Sequence, residues 1–226
     1  MLEVINQGLE TSVQDYPGRV GYLNQGFPPS GPMDSWSFRL ANLLVNNDES
    51  EGALECQYTG PTLKFEKDQV VAICGADMQP KVNGKSVPMW ESILIKADQT
   101  LELGFSLNGA RSYISFAGGI ESNPWLGSKS TFHKAGVGGI DGHAIKKGQK
   151  ILIGQSATRP GRKVREDCIP NIHNSGVWEI EVVRGPNDDW LDDNGYEIFL
   201  NAEWKLQARS DRTGFRLDGP SLTFNE

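Results

Sequence analysis

The sequence predicts a mainly β protein made of two pseudo-repeated units, with few short helices and an incomplete second unit. Twenty-six glycines and many short β-branched runs indicate strands joined by tight turns. Residues 59–65 (TGPTLKF) recur as residues 218–224 (DGPSLTF), and each copy follows a predicted helix and strand. Only two residues follow the second copy, so its sheet lacks later strands. We therefore expect a first unit over 1–154, a basic linker over 155–169 and the start of a second unit over 170–226.

Several strands of the first unit can be predicted from local patterns. The apolar run 69–75 (QVVAICG) has the length and residue types of a buried strand, which makes Cys74 a core residue. Residues 81–87 form a predicted hairpin, because Asn83-Gly84 supplies the positive φ angles of a two-residue turn. Alternating or apolar runs predict further strands over 91–97, 99–105 and 111–117.

Two helices are predicted. The first spans 34–46, and Asp34 or Ser35 can cap its N-terminus. The apolar residues that recur at helical spacing in this segment are Trp36, Leu40, Leu43 and Leu44. A second, weaker helical pattern spans about 188–200 and is interrupted by Gly195.

Composition and charge narrow the function classes. Charged residues make up 23% and hydrophobic residues 38% of the chain, which is typical of a soluble protein. The net charge of −7 argues against binding to nucleic acid or to anionic membranes. No apolar run approaches the roughly 18–20 residues that a membrane-spanning helix needs, and the N-terminus lacks the basic and apolar segments of a signal peptide. We expect a cytoplasmic protein with no nucleic-acid or membrane partner.

The cysteines and histidines do not have the spacing of a disulfide framework or a metal site. They are Cys56, Cys74 and Cys168, and His133, His143 and His173. An odd number of widely separated cysteines fits a reducing compartment, and the isolated histidines predict no bound metal. A P-loop and a nucleophile elbow are also missing from the sequence, and the glycine-rich residues 136–139 lack the lysine of a phosphate-binding loop. Residues 210–212 (SDR) cannot form a catalytic triad by themselves, so a stand-alone hydrolase is poorly supported.

The richest candidate site is the stretch from Gln14 to Asn42. Pro-Gly and Ser-Gly-Pro sequences force tight loops between a strand and the predicted helix. A stiff loop held in this way suits the binding of a small planar amide, and arginine forks suit a carboxylate. The candidate arginines are Arg19, Arg39, Arg212 and Arg216. The alternatives are that Asp15 and Arg19 merely pair at the surface and that Arg39 faces solvent. Arg212 and Arg216 could instead pair with Asp211 and Asp218.

Motifs along nearly the whole chain carry a resemblance to a known family. The runs TSVQDYPGRVGY and GFPPSGPMDSWSFRLAN resemble the carboxyltransferase segment of urea carboxylase and urea amidolyase, in the allophanate hydrolase subunit 2 family. Further matching motifs are ECQYTGPTLKF (55–65), CGADM (74–78), FAGGI (116–120), LGSKSTF (126–132) and EWKLQARSDRTGFRLDGP (203–220). The sequences DYPGR and SDRTG resemble the urea carboxylase forms of these motifs.

This resemblance implies cyclophilin-like β-barrels and a biotin-dependent carboxyl transfer to urea or a related amide or guanidine. The chain has no Ala-Met-Lys-Met attachment site and no ATP-grasp signature. Biotin is therefore expected on a separate carrier, with a biotin carboxylase and an allophanate hydrolase subunit 1-like domain as companions. The predicted catalytic residues are Asp15, Arg19 and Arg212. The predicted substrate and biotin contacts are Tyr16, Ser30, Gly31, Met33, Asp34, Arg39, Asn42, Ser210, Thr213, Gly214 and Arg216.

In this interpretation Asp15 accepts hydrogen bonds from the substrate amide and Arg19 holds the carboxylate of carboxybiotin. Replacing them should then leave the melting temperature nearly unchanged. The 12–42 and 209–216 segments are expected to line one cleft between the two units. Two other functions fit the same family: the C component of ATP-dependent 5-oxoprolinase, and a noncatalytic regulatory partner of a kinase inhibitor.

Overall fold

The computed structural model describes residues 1–172 and 180–225. It contains two compact units, Met1–Asn174 and Ser175–Glu226. Residues 173–179 of the predicted second unit, with His173, lie outside the described residues. The strands of the described chain are β1 Leu2–Asn6, β2 Glu10–Gln14, β3 Ala53–Gln57, β4 Thr62–Phe65, β5 Gln69–Gly75, β6 Lys81–Val82, β7 Lys85–Ser86, β8 Ser92–Ile95, β9 Thr100–Glu102, β10 Arg111–Phe116, β11 Lys150–Ile151, β12 Lys205–Leu206 and β13 Leu217–Asp218. The helices are α1 Ser35–Leu44 and α2 Asp193–Asn201, with 3-10 turns at Leu23–Gln25, Glu166–Cys168 and Asp188–Trp190. The predicted mainly β class is confirmed.

Two antiparallel sheets build the first unit. The outer sheet has the strand order β11-β1-β4-β9-β6-β7, and the central sheet has the order β2-β3-β10-β5-β8. Side chains from both sheets form one apolar core, which includes Leu2, Leu63, Leu54 and Phe116. Burying each such side chain contributes about 1.5–3 kcal/mol.

The central sheet is buried on its other face as well. Successive side chains of a strand point to opposite faces, so β5 sends Val71 and Ile73 into the core between the sheets and Ala72 and Cys74 toward α1. This double burial explains the nearly continuous apolar run of β5. The predicted strand over 69–75 and the hairpin at 81–87 are confirmed. The strands predicted over 91–97, 99–105 and 111–117 are present as the shorter β8, β9 and β10.

Helix α1 lies on the central sheet through a stripe formed by Phe38, Ala41 and Leu44. Asp34 is the N-cap, and its carboxylate accepts a hydrogen bond of 3.0 Å from the Ser37 amide. The helix predicted over 34–46 is therefore confirmed with shorter bounds. Two residues of its predicted apolar pattern, Trp36 and Leu43, are exposed instead of facing the core.

The segment expected as a linker packs against the first unit. The Ser92 amide donates to the Arg162 carbonyl at 2.8 Å, and the Val164 amide donates to the Trp90 carbonyl at 2.9 Å. Val164 is buried in the cluster between α1 and the central sheet. Residues 161–164 thus pair with residues 90–92 at the edge of the central sheet.

The second unit contains α2 and the short β12–β13 ribbon. Gly195 does not interrupt α2; a Cβ at this position would lie 2.3 Å from the Thr223 carbonyl oxygen, so only glycine fits. The glycines of the two repeat copies are also closely packed. A Cβ added at Gly60 would lie 2.4 Å from the Leu103 side chain, and one added at Gly219 would lie 2.3 Å from the Trp204 ring. Over the described parts of both units, no helix is both long and apolar enough to cross a bilayer.

Candidate active site

The corner between β2 and α1 consists of two loop segments held backbone to backbone. The Arg19 amide donates to the Pro29 carbonyl at 2.6 Å. A Cβ on Gly18 would lie 2.4 Å from the Pro29 oxygen, and one on Gly31 would lie 2.9 Å from the Pro17 oxygen. Both glycines have positive φ, at 89° and 81°. Glycine is required at both positions, because a side chain would be strained and would push the segments apart.

Asp15 is enclosed by the segment Ser128–Ser130, which lies far along the chain. Its carboxylate accepts hydrogen bonds from the Ser128 hydroxyl at 2.6 Å and the Lys129 amide at 2.6 Å. The Ser130 hydroxyl and amide donate to the same carboxylate, and the Asp15 amide donates back to the Ser130 hydroxyl at 2.9 Å. Both carboxylate oxygens are therefore occupied by protein donors, so Asp15 anchors the corner to this segment.

Arg19 is only 1% exposed. Its Nε donates to the Trp125 carbonyl at 3.2 Å and its Nη2 donates to the Ser130 carbonyl at 2.9 Å. The guanidinium lies over the Trp125 ring at 4.7 Å, and Phe27 packs edge-on against the same ring. Burial lowers the pKa of Arg19, and the nearby Asp15 carboxylate opposes this shift. Among the described residues, Nη1 has no hydrogen-bond partner although it is buried.

Arg39 and Asn42 project from α1 and have partners within the first unit. Arg39 forms two hydrogen bonds of 2.8 and 2.7 Å with Glu49 and lies 5.1 Å from the centre of the Tyr16 ring. The hydrogen bonds that Arg39 donates to Glu49 raise the pKa of Arg39. Asn42 is buried and donates to the Glu51 carbonyl at 2.8 Å. The contacts observed for these two side chains hold the helix in place.

The turn before α1 is fixed from beneath by two side chains of the central sheet. Glu55 accepts a hydrogen bond of 2.8 Å from the Met33 amide, and the Tyr113 hydroxyl accepts one of 2.7 Å from the Asp34 amide. Ser30 in the same turn has a positive φ of 58°. Sequence reasoning assigns no role to Glu55 or Tyr113, although Glu55 begins one of the motifs noted above.

The predicted site residues of the second unit form a turn between β12 and β13. The Asp211 and Gly214 backbones exchange hydrogen bonds of 3.2 and 3.1 Å. The Thr213 amide donates to the Asp211 carboxylate at 2.7 Å, and the Arg216 amide donates to the Ser210 hydroxyl at 3.0 Å. The structure thus brings the residues of 210–216 together with one another. A cleft shared with the corner of the first unit stays a prediction.

The structure also brings together the predicted residues of the corner, and it adds partners that the sequence did not reveal. These partners are Glu55, Tyr113, Trp125, Ser128 and Ser130. The one sequence signal for Ser128 and Ser130 is the motif LGSKSTF (126–132). It is recognised through the family resemblance and has no spacing that indicates a contact with Asp15. No group of three or more His, Cys, Asp or Glu side chains suited to a metal ion occurs in residues 1–172 or 180–225.

Comparison with known proteins places this geometry in a family. The carboxyltransferase domain family, subdomain A and B, matches residues 25–226. Urea amidolyase of Saccharomyces cerevisiae is 37% identical over 226 residues, which cover 97% of this chain and 12% of that protein. The crystal structure of Kluyveromyces lactis urea carboxylase superimposes with a TM-score of 0.91 at 37% identity, covering 99% of this chain and 21% of that one.

A bacterial relative is matched over a larger share of its own length. The C component of 5-oxoprolinase from Escherichia coli is 34% identical over 224 residues, which cover 98% of this chain and 70% of that protein. The chain thus spans about an eighth of the yeast urea amidolyase and about 70% of the bacterial protein. By the family match over residues 25–226 and by these relatives, the chain belongs to the carboxyltransferase domain family, subdomain A and B.

Proposed function

We propose that this chain takes part in biotin-dependent carboxyl transfer to urea or a related small amide or guanidine, as a component of a larger carboxylase. The family membership and the yeast urea amidolyase and urea carboxylase relatives support this proposal. Biotin on a separate carrier would supply the carboxyl group. A biotin carboxylase and an allophanate hydrolase subunit 1-like domain would be companions, because the chain itself contains neither a biotin attachment motif nor an ATP-grasp signature.

The observation that carries the proposal is that Nη1 of Arg19 is buried and donates no hydrogen bond within the described residues. Two nitrogens of this side chain donate to backbone carbonyls, whereas Nη1 has no acceptor among the described residues. A buried cationic donor without an acceptor is costly, so the site fits a ligand that brings an oxygen atom. The ureido carbonyl of biotin, a carboxylate and the carbonyl of urea all have such an oxygen.

Asp15 supports this site through Ser130. Ser130 donates its hydroxyl and amide to Asp15 and accepts the Arg19 Nη2 hydrogen bond at its carbonyl. Asp15 therefore sets the position of the carbonyl that orients the guanidinium. We assign Asp15 a positioning role in place of direct contact with the substrate amide, because both oxygens of its carboxylate already accept hydrogen bonds from Ser128–Ser130.

Burial of Nη1 determines how a ligand can reach it. The Trp125 ring lies against the guanidinium, and Phe27 packs edge-on against that ring. We infer that this aromatic shell must open for a ligand to reach Nη1. Once closed, the same shell would exclude water and strengthen the interaction between Arg19 and an oxyanion. Arg212 as a second catalytic residue stays a prediction that belongs to this proposal. So do the substrate and biotin contacts predicted at Tyr16, 30–34, Arg39, Asn42 and 210–216.

The test is carboxyl transfer by this protein combined with a biotin carboxylase and a biotinylated carrier. We expect urea-dependent ATP hydrolysis and formation of carboxylated urea. Arg19→Lys keeps the positive charge but has one nitrogen in place of three, so it cannot make all the contacts of the guanidinium. We expect at least about a tenfold loss of transfer, or roughly 1.4 kcal/mol at the transition state. Arg165→Lys is the matched control, since Arg165 forms an exposed two-point pair with Asp167. Transfer by Arg19→Lys at the control rate would count against the site.

A second candidate function is that of the C component of a 5-oxoprolinase. The match to the Escherichia coli protein, which covers 70% of that protein, favours it. With the companion proteins of such an enzyme, this function predicts ATP hydrolysis that depends on 5-oxoproline and not on urea. Measuring both substrates in parallel separates the two functions.

A further inference from the structure

A buried pair on the central sheet, Glu55 and Tyr113, lies beneath the turn that leads into α1. The two residues are direct cross-strand partners on β3 and β10. Glu55 is 5% exposed and Tyr113 is fully buried. The Tyr113 ring packs edge-on against Phe38 of α1, with ring centres 5.7 Å apart, so the pair faces the helix.

The pair binds two consecutive backbone amides. Glu55 Oε2 accepts from the Met33 amide at 2.8 Å and from the Tyr113 hydroxyl at 3.0 Å. The Tyr113 hydroxyl in turn accepts from the Asp34 amide at 2.7 Å. Arg111 Nε lies 3.5 Å from the other Glu55 oxygen and compensates the buried negative charge.

The phenol stays protonated in this environment. Burial and the adjacent Glu55 carboxylate raise the pKa of Tyr113 well above its ordinary value. Its hydroxyl can therefore donate to Glu55 while it accepts from Asp34, which fixes the direction of both hydrogen bonds. This arrangement holds the Met33 and Asp34 amides at defined positions above the sheet.

The same turn determines where Arg19 lies. Gly31 packs against the Pro17 backbone, where a Cβ would come within 2.9 Å of the Pro17 oxygen. Two residues further on, the Arg19 amide is bonded to the Pro29 carbonyl at 2.6 Å. A shift of the Met33–Asp34 turn is therefore transmitted to the backbone that carries Arg19.

We propose that Glu55 and Tyr113 are positioning residues that hold the Ser30–Asp34 turn, and through it Arg19, in the geometry required for carboxyl transfer. This inference rests on the proposed function for its catalytic consequence. Its structural content is independent, because the two amide hydrogen bonds are measurable without any assay. Neither side chain is placed in contact with substrate.

Tyr113→Phe is the sharpest variant, since it removes one oxygen and keeps the ring against Phe38 and the Glu55–Arg111 ion pair. Amide hydrogen exchange of the 226-residue chain should show the Asp34 amide exchanging at least about tenfold faster. Ser112→Ala is the matched control: it also removes a buried hydroxyl from β10, one that bonds the Cys74 carbonyl at 3.1 Å and does not contact the turn. Glu55→Gln provides a second variant, for which the Met33 amide should exchange faster.

In the assembled carboxylase, Tyr113→Phe should lower kcat for carboxyl transfer by at least about tenfold and leave biotin carboxylation unchanged. Exchange at Asp34 no faster than in Ser112→Ala would overturn the proposal. Faster exchange with unchanged transfer would also overturn it, because the turn would then not matter to the reaction. A wild-type protein that fails to carboxylate any small amide refutes the proposed function instead, and the exchange result still decides whether the pair holds the turn.

Discussion

At the residue scale, the enclosure of Asp15 changes what a substitution should do. We expect Asp15→Asn to lower the free energy of unfolding by about 1–3 kcal/mol, because an amide nitrogen would face donors from Ser128–Ser130. This replaces the sequence-based expectation of an unchanged melting temperature, which assumed a side chain free to meet a ligand. Denaturant unfolding measures the effect. Asp48→Asn is the control, on an exposed aspartate whose carboxylate accepts hydrogen bonds from the nearby Ser50. A loss no larger than in this control would contradict the structural role.

The three cysteines should differ in their reactivity toward alkylating reagents, because two of them are buried and one is partly exposed. Burial raises the pKa of Cys56 to about 12 and also raises the pKa of Cys74, so neither forms thiolate near neutral pH. Cys168 is partly exposed. At about pH 8, near the ordinary thiol pKa, we expect iodoacetamide to label Cys168 alone in the folded protein and all three residues after unfolding, as counted by mass spectrometry. Labelling of Cys56 at the rate of Cys168 would show that the core opens readily.

At the element scale, the cap of α2 should depend on pH. Hydrogen bonds from the Thr223 hydroxyl and the Gly195 amide lower the pKa of Asp192 in the folded protein. Its stabilising contribution is therefore complete above the unfolded pKa of about 3.9 and is lost as the pH falls through the lower folded value. Protection of the Gly195 amide, followed by hydrogen exchange, should decline in that acidic range. In Asp192→Asn, which can still cap but does not titrate, the decline should be absent; an identical decline would exclude this carboxylate as its cause.

Elements whose sequence signal lies within a few neighbouring residues could be predicted from the sequence. The enclosure of Asp15 by residues far along the chain could not. The run of β5, the Asn83-Gly84 turn and the Asp34 cap each depend on neighbouring residues, and all three are confirmed. The hydrogen bond between Asp15 and Ser128 joins residues 113 positions apart. Nothing in the spacing of either residue indicates the other, so burial of the corner emerged only from the tertiary structure. Residues 161–164 show the same limit, because their pairing with residues 90–92 depends on a sheet edge formed by strands distant in sequence.

At the scale of the whole molecule, the two units should differ in local stability. Strands β5 and β10 lie in a sheet covered on both faces, whereas the β12–β13 ribbon has two residues per strand and all four are exposed. Amides of β5 and β10 should exchange only through global opening, and those of β12 and β13 should exchange at least about a hundredfold faster through local opening. Hydrogen exchange with mass spectrometry resolves these segments. Equal, strong protection of both would mean that further chain or another molecule covers the ribbon.

Finally, we predict that the 226-residue chain alone does not carboxylate urea, because in the proposed function other components load the carboxyl group onto biotin. Carboxyl transfer needs a carboxyl donor, and the sequence has no biotin attachment motif and no ATP-grasp signature with which to make one. In the proposed function, Arg19 and the turn above Glu55 would orient reactants, and neither would generate carboxybiotin from ATP and bicarbonate. Purified chain given ATP, bicarbonate and urea should form no carboxylated urea above background, as measured with labelled bicarbonate. Adding a biotin carboxylase and a biotinylated carrier should enable transfer, and turnover by the chain without them would contradict this prediction.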